Sequence, residues 1–278
     1  NRPGPKPGRS AFAAGCRLCR WFRLASLAAI MASIIPSHVV QTLAPTGKLR
    51  AAINFGNTVL AQKDPATGEP RGVSGELARE FAKRLGIPIE FVTFDAAGKV
   101  FEALKRGEWD IAFMAIDPVR AAEIDFTGPY VLIEGAYVVP KDSPIKANEE
   151  VDRDGIRVAA AKGSAYELYL TRTLKKAKVV MQPTGPEACE MFLRDKLEVA
   201  AGVKQPMTQF ANEHPETRLL PGRFMAIEQA MGMPKGRDAG VRTLREFVEE
   251  MKASGFVARA LERSGQNEAV VAPPTPVP

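Results

Sequence analysis

The chain has 278 residues, 45% hydrophobic and 25% charged, an ordinary globular mixture with room for one large or two medium domains. Its formal charge of +6 does not point to nucleic acid: much of the excess lies in Arg2, Lys6, Arg9, Arg17, Arg20 and Arg23, which face no acid, and later basic residues alternate with Glu and Asp along helical patterns. With two histidines and no Gly-x-Ser-x-Gly, His-Glu-x-x-His or phosphate loop, no catalytic residue, metal ligand set or cofactor is expected.

Residues 17–35 read as an export signal, a basic stretch followed by an apolar run too short for a confident membrane span. The leader is assigned to residues 1–45, with Thr42-Leu43-Ala44 as a tolerable cleavage point, which places the protein in the periplasm. If Met31 were the true start, it would have no signal and be cytoplasmic. Cys16 and Cys19 fall within this leader, so Cys189 is the single cysteine of the remainder, read as a packed thiol.

From residue 49 on, short apolar strands alternate with amphipathic helices. Strands are expected over 49–55, 89–94, 109–116, 136–140, 157–162, 179–182 and 197–202. Helices are expected over 74–85, 98–106, 164–174, 186–195 and 206–213, with a long helical region over 238–264. In the first helix Leu77, Ala78, Phe81, Ala82 and Leu85 recur at helical spacing, and Gly86 then Pro88 stop it. This alternation implies parallel sheets flanked by helices. The Pro-rich end, residues 267–278, reads as a disordered tail.

Two places could hold chemistry. Arg120 follows the apolar strand that ends at Asp117-Pro118, and ligands of open α/β sheets settle beyond carboxyl strand ends. Its guanidinium fork matches a carboxylate, although a solvated loop arginine is the ordinary alternative. Gly163-Ser164-Ala-Tyr-Glu167 opens a helix straight after a strand. Ser164 and Glu167 form a capping-box pattern, and the same helix end could also meet an anion.

Gly47-Lys-Leu-Arg-Ala-Ala-Ile-Asn54, Gly72-Val-Ser-Gly-Glu-Leu, Pro118-Val-Arg120, Asp125-Phe-Thr-Gly-Pro-Tyr130, Lys162-Gly-Ser164 and Met231-Gly-Met-Pro-Lys-Gly236 occur in an order and spacing that carry a likeness. The chain resembles the extracellular solute-binding proteins of the polar amino-acid uptake type, family 3, from about Gly47 to about Gly265. The resemblance implies a type II periplasmic-binding-protein-like α/β fold with two lobes, each a mainly parallel sheet flanked by helices, joined by a two-segment hinge near residues 136–141 and 228–233. Lobe 1 would take residues 46–140 and 231–266, and lobe 2 residues 141–230. It implies a monomeric receptor, its ligand a small carboxylate-bearing, amino-acid-like solute and its partner the permease subunits of an ABC importer.

By the same resemblance Arg120 anchors the ligand carboxylate, Gly163 and Ser164 face it from the second lobe, and Asn54, Asn57, Ala115, Asp117 and Val203 stand at the remaining contact positions. Several of these depart from the family. Val203 occupies the position where an ammonium-holding aspartate is usual, and Ala115 and Asp117 replace small hydroxyl residues. The expected ligand therefore either lacks a free α-amine or pairs its amine with Asp117, Glu134 or Glu228. Two alternatives accompany this reading: a cyclohexadienyl or arogenate dehydratase-like enzyme on the same fold, with one of those acids in the cleft, and an orphan sensory binding module.

Overall fold

The computed structural model describes Gly4 and residues 35–277. The basic and apolar segments of the expected leader, with Cys16, Cys19 and Met31, lie outside the described residues. Residues from Ser37 onward form one unit.

Two parallel three-stranded blocks have the same build. In the first, β1 (Leu49–Asn54) lies between β4 (Ile89–Phe94) and β5 (Ile111–Ala115), with β2 (Gln62–Lys63) and β3 (Pro70–Arg71) forming a small separate hairpin. In the second, β7 (Arg157–Ala161) lies between β8 (Lys178–Gln182) and β9 (Val199–Val203). Every residue of β5 is buried, as are all but the last of β9, which suits strands covered on both faces. Helices α2 (Val73–Leu85) and α3 (Ala97–Leu104) connect the first block; α5 (Ala165–Thr173) and α6 (Gly185–Arg194) connect the second. Helix α2 buries Leu77, Ala78, Phe81, Ala82 and Leu85 and ends on Gly86 at φ 68°, a conformation that glycine adopts without strain.

One arginine–carboxylate staple recurs at the base of both blocks. Asp110, just before β5, accepts from the backbone N, Nε and Nη2 of Arg50 at 3.0, 3.0 and 2.8 Å. Glu198, just before β9, accepts from the same three atoms of Arg157 at 2.8, 2.9 and 2.8 Å. Each ties the start of the central strand to the start of its neighbour, and the registers match: Ala51 pairs with Ile111, and Val158 with Val199.

Two long strands join the blocks. β6 (Ile124–Pro140) pairs with β11 (Met225–Pro234) from Ile124 to Gly135, then with β9 from Gly135 to Val138 and with β10 (Thr217–Leu219) from Val138 to Pro140. β11 pairs with β5 over Gln229–Gly232. The resulting sheet has the order β4-β1-β5-β11-β6-β9-β7-β8. β6 takes up β9 from Gly135 onward, and β11, paired with β6 throughout, takes up β5 from Gln229 onward. The first two-thirds of β6 was not anticipated, because Thr127-Gly128-Pro129 reads as a break in any strand pattern.

Both chain ends of this unit correct the sequence reading. Residues 37–45, assigned to the leader, contain α1 (Ser37–Leu43), which packs on α8 (Asp238–Ala253) with Leu43 fully buried. The tail is not disordered: β12 (Val270–Val271) pairs with β6 and Thr275 N donates to Glu249 Oε2 at 3.0 Å. The long C-terminal helix is two, α8 and α9 (Phe256–Arg263), divided by Gly255 at φ 74°. No helix among the described residues is long and apolar enough to cross a membrane.

Candidate functional site

Between the two blocks lies a cavity of about 860 Å³. The carboxyl ends of β1, β5, β7 and β9 all reach it: Asn54, Ala115, Ala161 and Val203 are lining residues. Parallel strands place successive helix starts and loops around their carboxyl ends, so this is where the topology leaves space for a ligand.

Arg120 is carried there by a single helical turn, α4 (Pro118–Ala121), which Asp117 caps by accepting Val119 N through Oδ1 at 2.9 Å. The guanidinium is 1% exposed and lines the cavity. It donates from Nη1 to Ala115 O at 2.8 Å and from Nη2 to Gly163 O at 2.7 Å, and its Nε is buried with no partner. Burial pulls its pKa down to about 10, against the opposing pull of Asp117 and Glu167. No carboxylate among the described residues forms an ion pair with it. A buried cation on a cavity wall, whose two bonds to carbonyls use two of its five N–H donors and whose Nε has no partner, is suited to a planar oxyanion.

The bond to Gly163 crosses from one block to the other. Beside it, Gly163 and Gly98 of α3 meet backbone to backbone: a Cβ on Gly98 would lie 2.7 Å from Lys162 O, and one on Gly163 would lie 2.7 Å from Gly98 Cα. Ser164 is buried and caps α5 by accepting Glu167 N at 3.0 Å, while Glu167 Oε2 accepts Gly163 N at 2.9 Å. Both capping partners are thus engaged, and Ser164 also lines the cavity.

Of the other sequence-derived candidates, Asn54, Asn57, Ala115 and Val203 line the cavity with Arg120 and Ser164. The Asn54 side chain accepts Gly56 N at 2.9 Å, while Asn57 Oδ1 is buried without a partner. Asp117, Glu134 and Glu228 are not on the wall. Asp117 Oδ2 pairs with Arg172 at 2.8 Å; Glu134 pairs with Lys204 at 2.6 Å and Arg223 at 3.1 Å, which holds its carboxyl below the usual range; Glu228 is exposed. The acids that do reach the cavity, Asp95, Glu187, Glu190 and Glu213, are exposed residues.

The rest of the wall is mainly apolar. Phe113, Met114, Tyr166, Met207 and Ile227 contribute to it, with polar Ser74 and Gln229. Gln229 is 5% exposed and sits at a bulge in β11, where a register shift re-aims the side chain. Sequence reasoning missed these residues. The bulge has no local signature, and Phe113 and Met114 look like any buried strand residues.

A family model for bacterial extracellular solute-binding proteins, family 3, matches residues 60–266. The chain belongs to that family. Among relatives, the family member described here is 23% identical to the glutamine-binding protein of Geobacillus stearothermophilus over 203 residues, covering 72% of this chain and 77% of that one. The L-cysteine solute receptor of Neisseria gonorrhoeae superposes with a TM-score of 0.70 at 22% identity, covering 81% of this chain and 92% of the receptor. An ancestral amino-acid-binding protein described as a precursor of cyclohexadienyl dehydratase gives 0.66 at 24% identity, covering 81% and 98%. These superpositions show the type II periplasmic-binding fold for this family 3 protein.

Proposed function

We propose that this protein is the periplasmic receptor of an ABC importer, and that it closes two lobes on a small carboxylate-bearing solute. The family membership and the receptor names of its relatives support the receptor role. The carboxylate rests on one observation: Arg120 is a buried cation on the cavity wall whose Nε–H is unfilled and which no carboxylate among the described residues pairs with. Lobe closure would supply the anion that the fold itself withholds, exchanging a solvated carboxylate for the bidentate fork.

The buried part of the wall argues against an α-ammonium held beside the Arg120-bound carboxylate, since the acids that line the cavity, Asp95, Glu187, Glu190 and Glu213, are exposed. Val203 is apolar at the β9 end, and Asp117, Glu134 and Glu228 are turned to other partners or to solvent. A desolvated ammonium with no carboxylate beside it would cost several kcal/mol. These placements also weigh against a dehydratase on this fold, which needs an acid or base aimed at the ligand.

A thermal-shift screen of carboxylates, standard amino acids and amines tests the reading. Carboxylates without an amine should raise the melting temperature, by about 3 kcal/mol of stabilisation at a hundredfold excess over Kd. Hits confined to cationic amines, or equal hits in the Arg120→Ala variant, would overturn it.

A further inference from the structure

The cavity does not end at the strand ends. It runs on from Arg120 past Ala161, Ala165, Ala201 and Gly202 into a groove between α6 and α7 (Lys204–Glu213), reaching His214. Ala161, Ala165, Ala201 and Gly202 are small, and a Cβ added at Gly202 would lie 2.6 Å from Met207 Sδ. The apolar groove residues on the same cavity are Cys189, Leu193, Met207 and Phe210. Cys189, Leu193 and Phe210 are half-buried and pack against the lobe-2 core on one side, leaving apolar surface to the groove on the other. The total of about 860 Å³ sits near the upper end of the roughly 300–1,000 Å³ found for sites that enclose drug-sized ligands.

We propose that the α6–α7 groove is an annex of the Arg120 site that takes the uncharged alkyl or aryl arm of the carboxylate ligand. This rests on the carboxylate reading given above. Continuity with the Arg120 chamber identifies the occupant, because Arg120, Val203 and the apolar residues of the groove line one and the same cavity. The exposed acids Glu187, Glu190 and Glu213 border the groove and disfavour a second carboxylate at the far end.

A homologous series from acetate through butanoate and hexanoate to octanoate, with 4-phenylbutanoate, separates the possibilities by titration calorimetry. Affinity should tighten about fourfold per methylene until the annex is filled. Cys189 reports occupancy, read from the mass of its peptide after alkylation at pH 9. Burial pushes its thiol up to about 11, so labelling is slow enough to time. Octanoate and 4-phenylbutanoate should slow it severalfold and acetate should not. Carboxamidomethylation of Cys189 in the parent chain should remove the gain with chain length while sparing acetate. Arg120-dependent binding that is flat with chain length, or a Cys189 equally reactive under saturating octanoate, overturns the annex alone. Binding that ignores Arg120→Ala, or none by any member, overturns the carboxylate reading and the annex with it.

Discussion

At Arg120 the guanidinium is completely desolvated, and its pKa falls from 12.5 to about 10, equivalent to about 3 kcal/mol unfavourable to the charged form at neutral pH. Two charge-assisted hydrogen bonds to carbonyls cancel that at the lower end of their worth, about 1.5–3 kcal/mol each. The balance is near zero, so Arg120→Met should leave the melting temperature unchanged or raise it while abolishing carboxylate binding. A loss of stability beyond about 2 kcal/mol by denaturant titration would mean that the residue is kept for the fold instead. The pH sign agrees: a folded value below the unfolded one means the folded state sheds its proton first, so this residue's penalty is present below about pH 10 and relieved above it. The Ser164–Glu167 cap was legible in the sequence because its two partners lie three positions apart. The pairing of Asp117 with Arg172 was not, since it joins residues of different blocks.

At the level of elements, the two arginine–carboxylate staples have the same geometry in different surroundings. The Asp110 side chain is 0% exposed, whereas Glu198 is 31% exposed and Arg157 42%. Asp110→Ala should therefore cost about 3–5 kcal/mol, the usual penalty for breaking a buried pair. Glu198→Ala should cost about 1 kcal/mol or less, since solvent screens the pair and replaces the lost partner. Chemical denaturation of the two variants compares them directly, and equal losses would contradict the argument. Arg157 holds the Glu198 carboxyl below its usual range. Its contribution is thus present above the ordinary carboxylate range and fades as pH falls through it toward the lowered folded value. Strands and helices with regular periodicity were read to within a residue or two of their ends, as with Ile89–Phe94 and Val73–Leu85. Failures fell where glycine or proline interrupts a pattern that tertiary pairing nevertheless continues. Gly128-Pro129 lies inside β6, and Gly255 splits α8 from α9. Helix α1 was hidden by its position beside an export-like segment, although Val39 and Leu43 have the apolar spacing of a docked helix.

For the molecule as a whole, two strands carry every covalent and sheet connection between the blocks, β6 and β11, so relative motion has to bend them near Gly135 and Glu228. The blocks touch across the cavity at Gly98 and Gly163, where neither position has room for a side chain. Gly98→Val should hold the lobes apart, enlarging the radius of gyration under saturating carboxylate relative to the parent. An unchanged radius would mean the contact does not set the closed state. The two-lobed plan was readable because each block repeats strand–helix–strand with apolar runs. The contents of the cavity were only half readable, because its wall is assembled from strand ends, a bulge and a helix groove far apart in sequence. Solution scattering on the parent and Arg120→Ala, each with and without the carboxylate that stabilises the parent best, tests the central claim most directly. The parent should compact on binding and the variant should not. Equal compaction of both would contradict an anchoring role for Arg120.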